Sequence, residues 1–189
     1  MGKITAAITG VGLYLPDYIL TNEELSTMVD TSDEWIMSHI GVKTRHILKG
    51  EGVGTSYMGA RAVINLLDKA GVDPMEVDLV ICATVTPDMF FPSTGNLIAD
   101  QAGCKNAFAY DVSAACSSSA LAVMVATRLI RSGLYDIVIA GGAEQLDWVQ
   151  ALGFNAIRAL STHYNDNPSA ASRPFDRDRD GFLLSLIHI

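Results

Sequence analysis

Short apolar runs rich in Val, Ile and Ala recur along the chain with stretches of helical length between them, and this alternation restricts the fold more than any other feature. The runs Ile4 to Val11, Thr44 to Leu48, Asp78 to Thr84, Phe108 to Val112 and Ile137 to Ala140 are near-continuously apolar or bounded by turn residues, as buried strands are. Helices are expected to begin at Thr21, Thr31, Thr55, Ser93 and about Cys116. Thr21 with Glu24, and Thr31 with Glu34, have the spacing of a capping box, in which the threonine hydroxyl accepts from a backbone N–H in the first turn. The helix from Thr55 is expected to stop after Ala70, because Gly71 can take the left-handed conformation and Pro74 follows. Strands separated by helices of this length require right-handed crossovers, so the chain belongs to the α/β class with a mainly parallel, layered sheet.

Composition narrows the function. At 189 residues and 49% hydrophobic, the chain can bury one core well and two only marginally, so one domain is expected. A formal charge of −8 argues against a general polyanion binder such as a nucleic-acid-binding protein, since neutralising phosphates needs a basic surface, and leaves room only for a local basic patch. Cys82, Cys104 and Cys116 lack the density of a disulfide framework and fit a reducing, cytoplasmic location. The start MGKITAAITG has no signal-peptide core, and no segment reaches the roughly 20 apolar residues that span a bilayer.

Cys116 is the residue with chemistry to offer. It sits in YDVSAACSSS, where an apolar strand gives way to a long small-residue helix. A helix start carries N–H groups without intrahelical partners and partial positive charge, which favour a thiolate and an adjacent oxyanion. A free cysteine is also often only a small buried hydrophobe. The helix SSSALAVMVATRLIRSG is apolar or small on almost every face until Arg128 and Arg131, so it is expected to be buried on both sides, with Ala120, Ala122 and Ala126 allowing close approach. Strand, small-residue turn, cysteine and buried helix together point to a nucleophile.

Other motifs fall short. Asp176 to Gly181 match the opening of an EF-hand loop, but its twelfth position is Ile187 rather than a glutamate. Gly10, Val11 and Gly12 hint at a dinucleotide loop, yet Leu15 takes the sixth position and Pro16 blocks a following helix. No Walker, GxSxG or paired zinc spacing is present, and no metal or redox cofactor is called for.

The stretches TSDEWI from Thr31, GVKTRHI from Gly41, FFPST from Phe90 and DVSAACS from Asp111 resemble β-ketoacyl-acyl-carrier-protein synthase III, over residues 1 to about 138. The resemblance implies the N-terminal half of a thiolase-like fold, whose αβαβα layers come from two similar halves. It implies an acyltransferase of fatty-acid biosynthesis that condenses a coenzyme A-borne acyl starter with malonyl-acyl-carrier protein. By position, Cys116 matches the acylated cysteine, Trp35 the tryptophan that stacks on the adenine of coenzyme A, and Thr31 a threonine that contacts the same ligand. Phe91 matches an aromatic that lines the acyl pocket of the neighbouring subunit, which implies a homodimer. Without the resemblance, Trp35 reads as a core anchor beside Ile36 and Ile40, Phe91 as loop packing beside Pro92, and Thr31 as a helix cap.

Two departures follow. His39 stands where the family has an arginine stacked on coenzyme A, and imidazole is shorter and lacks the fixed charge. From about Ile139, the phrases IAGGAEQLDW, GFNAIRALSTHYNDNP and ASRPFDRDRDGF resemble instead the elongating synthases of the same superfamily, which accept acyl groups from acyl-carrier protein. The fold and nucleophile are common to both, and residues 1–182 are expected to form the N-terminal half. The closing LLSLIHI, residues 183–189, resembles neither family and is expected to be a non-native tail. Synthase III draws a histidine and an asparagine from its second half for condensation, and none of His39, His46, His163 or His188 lies in a matching motif. The chain is therefore expected to be acylated at Cys116 without condensing; the alternatives are an elongating synthase and a non-catalytic half-domain.

Overall fold

The computed structural model describes residues 4–39, 41–145, 148–167 and 170–182. In chain order the elements are β1 (Tyr18–Thr21), α1 (Asn22–Ser26), α2 (Asp33–His39), β2 (Thr44–Ile47), α3 (Thr55–Ala70), β3 (Leu79–Ala83), α4 (Thr94–Gln101), β4 (Phe108–Val112), α5 (Ser118–Arg131), β5 (Val138–Gly142) and α6 (Trp148–Ala156). They divide into two compact units, Met1–Pro16 with Leu48–Gln145, and Asp17–Ile47 with Leu146–Ile189.

The first unit is built on a parallel sheet of order β4-β3-β5. All of β3 is buried, which explains its uninterrupted apolar sequence LVICA: a central strand has helices over both faces. Its side chains alternate between them. Val80 and Cys82 pack with Val63 and Leu67 of α3 and with Ile98 and Ala99 of α4. Leu79, Ile81 and Ala83 face the other way, onto Ala122 and Ala126 of α5. Full burial of a side chain such as Ile81 stabilises by about 1.5–3 kcal/mol. Helix α3 ends as its sequence requires, with Gly71 at φ 64° donating its N–H to the Leu67 carbonyl.

Two expectations fail in this unit. Residues Ile4 to Val11 form no strand, and Ile4, Ile8 and Val11 are 51%, 80% and 73% exposed. The segment lies along α3 instead. A Cβ at Gly12 would run into the Ala62 carbonyl and Leu66, and the Leu13 N–H donates to Asn65 Oδ1 at 3.2 Å. A cavity of about 500 Å³ lies between this segment and β5, with Ile8, Gly10, Leu66, Ile139 and Gly141 among its walls. A ladder needs strands about 4.8 Å apart, so a segment held off across that cavity keeps strand-like composition without strand pairing. The second failure is α5, which is not buried on both sides: only Ser118, Ala122 and Ala126 are buried, while Val123 and Met124 are 45% and 52% exposed. Among the described residues a single layer, the sheet, covers this helix.

In the second unit β1 and β2 pair antiparallel, Tyr18 opposite Ile47 through Thr21 opposite Thr44. Leu20, Leu25 and Ile36 form its small core, flanked by Tyr18, Trp35, Val42 and Ile47. Thr21 caps α1 as expected, accepting from Glu24 N at 3.1 Å. Thr31 does not cap α2. Ser32 Oγ accepts from Trp35 N at 3.1 Å, moving the helix start one residue on, because serine serves the same N–H equally well. Buried Arg45 donates to Asn22 Oδ1 at 2.6 Å, and Asn22 donates in turn to Asp33 Oδ1 at 2.7 Å and to the Val42 carbonyl at 2.9 Å. Burial lowers the Arg45 pKa, so this network holds a cation in a desolvated place. After α6 the chain is mostly turns, joined by a parallel bridge of Leu160 with Phe182. No helix among the described residues is long and apolar enough to cross a membrane.

Candidate active site

Parallel strands deliver their C-terminal ends to one edge of the sheet, and in open α/β sheets that edge is where ligands bind. Here β3 runs into residues 84–93, β4 into 113–117 and β5 into 143–145. The Thr84 N–H donates to the Val112 carbonyl at 3.2 Å, extending the β3–β4 pairing beyond the strands. Glu144 closes the other side. Its Oε1 accepts from Thr84 Oγ1 at 2.8 Å, Val85 N at 3.0 Å and Thr86 N at 2.9 Å, and also from the Thr86 hydroxyl. This carboxylate therefore ties the loop after β3 to the end of β5.

Cys116 stands at this edge and is exposed. It lies in a 3-10 turn, Ala115–Ser117, which leads directly into α5 at Ser118. Ala115 takes φ 46°, a left-handed conformation that costs a residue with a Cβ about 1–2 kcal/mol. Ser118 Oγ accepts from Ala114 N at 2.6 Å, and Ser117 N donates to the Ala114 carbonyl at 3.1 Å, so the sharp turn is held from both flanks. The result is a thiol presented at the start of a helix whose first N–H groups have no intrahelical acceptor, an arrangement suited to receiving negative charge.

The other cysteines differ. Cys82 and Cys104 are buried. Burial, followed by the charges of Asp111, Glu144 and Asp88, pushes the Cys82 thiol up to about 12, and burial raises Cys104 as well. Neither is a nucleophile in the folded chain, since the thiolate is the reactive form. The 500 Å³ cavity has Cys82 and Ala143 in its wall and not Cys116.

Phe91 is on the loop after β3 and is 87% exposed, beside Phe90 and Met89, also exposed, and before a cis bond to Pro92. Cys116 and Phe91 thus follow adjacent strands of one sheet. Trp35 and Thr31 belong to the other unit. Trp35 is half-buried against the Leu20, Leu25 and Ile36 core, as an anchor would be. Thr31 Oγ1 is buried without a hydrogen-bond partner, freed of the cap role by Ser32. His39 ends α2 and its side chain lies outside the described residues, as do His188 and the whole of residues 183–189.

The aspartates of the alternating run Asp176 to Asp180 serve turns. Asp180 accepts from Ser161 Oγ at 2.6 Å and from the N–H groups of Thr162 and His163 at 2.8 Å each, which hold its carboxyl at about 2. Asp176 pairs with Arg173 at 3.1 Å and has its pKa lowered by that contact first. No group of three or more His, Cys, Asp or Glu suited to a metal occurs among the described residues.

Three features of the site escape the sequence patterns used above: the positive φ of Ala115, the Glu144 clasp and the carboxylate of Asp111. Only Asp111 left a signal. An acid inside the apolar run FAYDV must find donors, and it does, accepting from Thr94 N at 2.8 Å and Gly95 N at 2.6 Å.

Comparison with known proteins bears out the resemblance. The profile of the thiolase N-terminal domain matches residues 36–170. Beta-ketoacyl-[acyl-carrier-protein] synthase III 2 of Bacteroides thetaiotaomicron is 56% identical over 146 residues, which are 77% of this chain and 44% of that protein. The synthase III of Lactococcus lactis subsp. cremoris is 44% identical over 191 residues, covering 95% of this chain and 58% of that protein. Among solved structures, 3-oxoacyl-[acyl-carrier-protein] synthase III from Aquifex aeolicus VF5 aligns with a TM-score of 0.67 at 43% identity, over 72% of this chain and 44% of that one. The chain thus spans less than half the length of the Bacteroides relative. By its profile match and these identities, the chain belongs to the thiolase family, among the relatives of β-ketoacyl-acyl-carrier-protein synthase III.

Proposed function

We propose that this chain carries the acyl-accepting part of a β-ketoacyl-acyl-carrier-protein synthase, an acyltransferase that opens fatty-acid biosynthesis. The Cys116 thiolate attacks the carbonyl carbon of an acyl thioester; a new C–S bond forms, the bond to the carrier sulfur breaks, and the carrier leaves as a thiol after taking up a proton. Backbone N–H groups at the start of α5 bind the oxyanion of the tetrahedral intermediate. The acyl-enzyme remains a thioester and keeps its reactivity toward the carbanion that malonyl-acyl-carrier protein yields on losing carbon dioxide. No cofactor beyond these substrates takes part.

Trp35 and Thr31 contact coenzyme A in this proposal, and Phe91 lines the acyl pocket of a neighbouring subunit in a cytoplasmic homodimer. The exposed Phe90 and Phe91 support that assignment, as does the unpartnered hydroxyl of Thr31. The observation that carries the proposal is the exposed Cys116 on a strained turn at the binding edge of a parallel sheet.

The test is intact-protein mass spectrometry after incubation with acetyl-coenzyme A or with acetyl-acyl-carrier protein. One acetyl group on Cys116 from coenzyme A, absent in Cys116→Ser, is the expected result. Acetylation from acyl-carrier protein alone identifies an elongating synthase, the assignment that residues 139–182 and His39 favour. No modification from either donor refutes acyl transfer.

A further inference from the structure

Helix α5 begins without a side-chain cap: Ser117 holds the capping position, yet its hydroxyl accepts from no N–H of the first turn. The oxygen that is used belongs to the next residue and serves the chain behind it. Ser118, 4% exposed, accepts from the N–H of Ala114, four positions earlier, at 2.6 Å. This anchor is firm, because the start of α5 sits on the sheet: a Cβ on Gly142 would come within 3.3 Å of both Ser119 Oγ and the Ala83 carbonyl oxygen.

Between the two ends of that bond lie Ala115, Cys116 and Ser117, all exposed. Packing therefore cannot hold the chain here in an unfavourable shape. Ala115 nonetheless takes φ 46°, which its Cβ opposes, and such a conformation persists only where its surroundings over-determine it. Two hydrogen bonds do so, and both end on Ala114. Its N–H donates to Ser118 Oγ, and its carbonyl accepts from the Ser117 N–H at 3.1 Å.

The shape of the turn decides where the Cys116 N–H points. The N–H groups of Ser117 and Ser118 are spent on the Ala114 and Ala115 carbonyls, whereas that of Cys116 precedes both bonds and is left for an incoming oxygen. A swing of Ala115 out of the left-handed region would re-aim the peptide that carries it.

We propose that Ser118 is a positioning residue for acyl transfer: its buried hydroxyl holds Ala115 in the left-handed conformation and so keeps the Cys116 N–H aimed at the oxyanion. This rests on Cys116 accepting acyl groups, as proposed above. Ser118 acts through the backbone alone.

Two reagents separate aim from access. With S-phenyl thioacetate the Cys116 sulfur attacks the carbonyl carbon, an oxyanion forms and is held, and thiophenolate leaves as the new thioester closes. With iodoacetamide the same sulfur displaces iodide from carbon, and no oxyanion forms. Ser118→Ala should slow acetylation of Cys116 by about ten- to hundredfold and alkylation by less than about twofold, since misplacing a donor by about 1 Å suffices for such losses. Ala115→Gly removes the Cβ that opposes the turn, so the hydroxyl is no longer needed. Adding Ser118→Ala to Ala115→Gly should therefore change acetylation by less than about threefold.

A parallel loss of both reactions, an unmoved acetylation rate, or an undiminished loss in the Ala115→Gly background overturns the proposal. Should Ser118→Ala alone fail to fold, the double variant decides. Acetylation at the rate of Ala115→Gly supports the role of Ser118; a deficit of about tenfold, or a double variant that also fails to fold, overturns it. If wild type takes acetyl from S-phenyl thioacetate with the expected Ser118 dependence, but from neither coenzyme A nor acyl-carrier protein, the synthase assignment fails and the positioning role stands. Wild type acetylated by none of the three defeats both.

Discussion

Helices α3 and α5 cover opposite faces of the same sheet, yet their sequences are written for different surroundings. In α3 the buried residues Ala60, Val63 and Leu67 form one stripe, and Arg61, Asp68 and Lys69 face solvent. In α5 the stripe against the sheet is Ser118, Ala122 and Ala126, but the far side carries Val123 and Met124, and charge comes only in the last turn with Arg128 and Arg131. A helix that is apolar all round specifies burial on two sides. The described residues supply one. The chain's coverage of 44% of its Bacteroides relative, and the αβαβα layering implied by the resemblance, accord with a helix meant to lie between two sheets. The comparison teaches that a sequence can report packing partners that lie outside the residues at hand.

The largest effect should come from the completed side. Leu67, 4% exposed, fills the layer between α3 and the sheet, and Leu67→Ala should cost about 2–5 kcal/mol by urea unfolding through lost transfer energy and the cavity left behind. A cost below about 1 kcal/mol would mean that this face is no better packed than the outer side of α5.

Next is the inner stripe of α5. Ala122 has no exposed surface and packs with Leu79 and Ile81, so Ala122→Leu overfills the contact and should cost about 1–3 kcal/mol. Tolerance of the larger side chain would show that the helix moves outward freely, with nothing behind it.

A pH effect sharpens the comparison from the α3 side. The folded-state pKa of Cys82 is raised from 9.0 to about 12, so its contribution to stability is fully present below pH 9 and is lost as pH rises toward 12, where the unfolded chain has already given up the proton. Cys82→Ala should flatten this alkaline decline, measured as unfolding free energy against pH. In native protein near pH 8, iodoacetamide should label Cys116 and spare Cys82 and Cys104. Labelling of Cys82 at a rate comparable to Cys116 would show that the α3 layer opens readily.

Legibility followed the range of the interactions involved. β4 is found where its residues place it and β3 and β5 within two residues, and β3 is the clearest because a strand buried along its whole length leaves an uninterrupted apolar run. The Thr21 cap and the Gly71 stop were legible because each is settled within a few residues. Thr31 against Ser32 was not, since adjacent hydroxyls compete for one N–H and tertiary geometry chooses. Ile4 to Val11 misled for the same reason as α5: apolar content records the need for partners, not their presence. At the site, Cys116 was visible through its strand-to-helix setting. The positive φ of Ala115 and the Glu144 clasp were not, being consequences of how three strand ends meet.

The smallest effect belongs to the outer side of α5 and bears most directly on the comparison. Met124 is 52% exposed, and lysine has good helix propensity, so Met124→Lys should change the stability of this chain by less than about 0.5 kcal/mol. Removing an apolar side chain next to Val123 should at the same time reduce self-association in sedimentation velocity, as an exposed apolar patch is a sticky surface. In a longer version with a second layer over α5, the identical change would bury an unpaired charge and cost several kcal/mol, about 3–5 by analogy with other uncompensated buried ions. Parallel unfolding of the two forms therefore isolates the contribution of a second layer in one number. Equal costs in both, whether small or large, would show that the far side of α5 has the same surroundings with and without the additional chain, and the contrast with α3 would be one of composition alone.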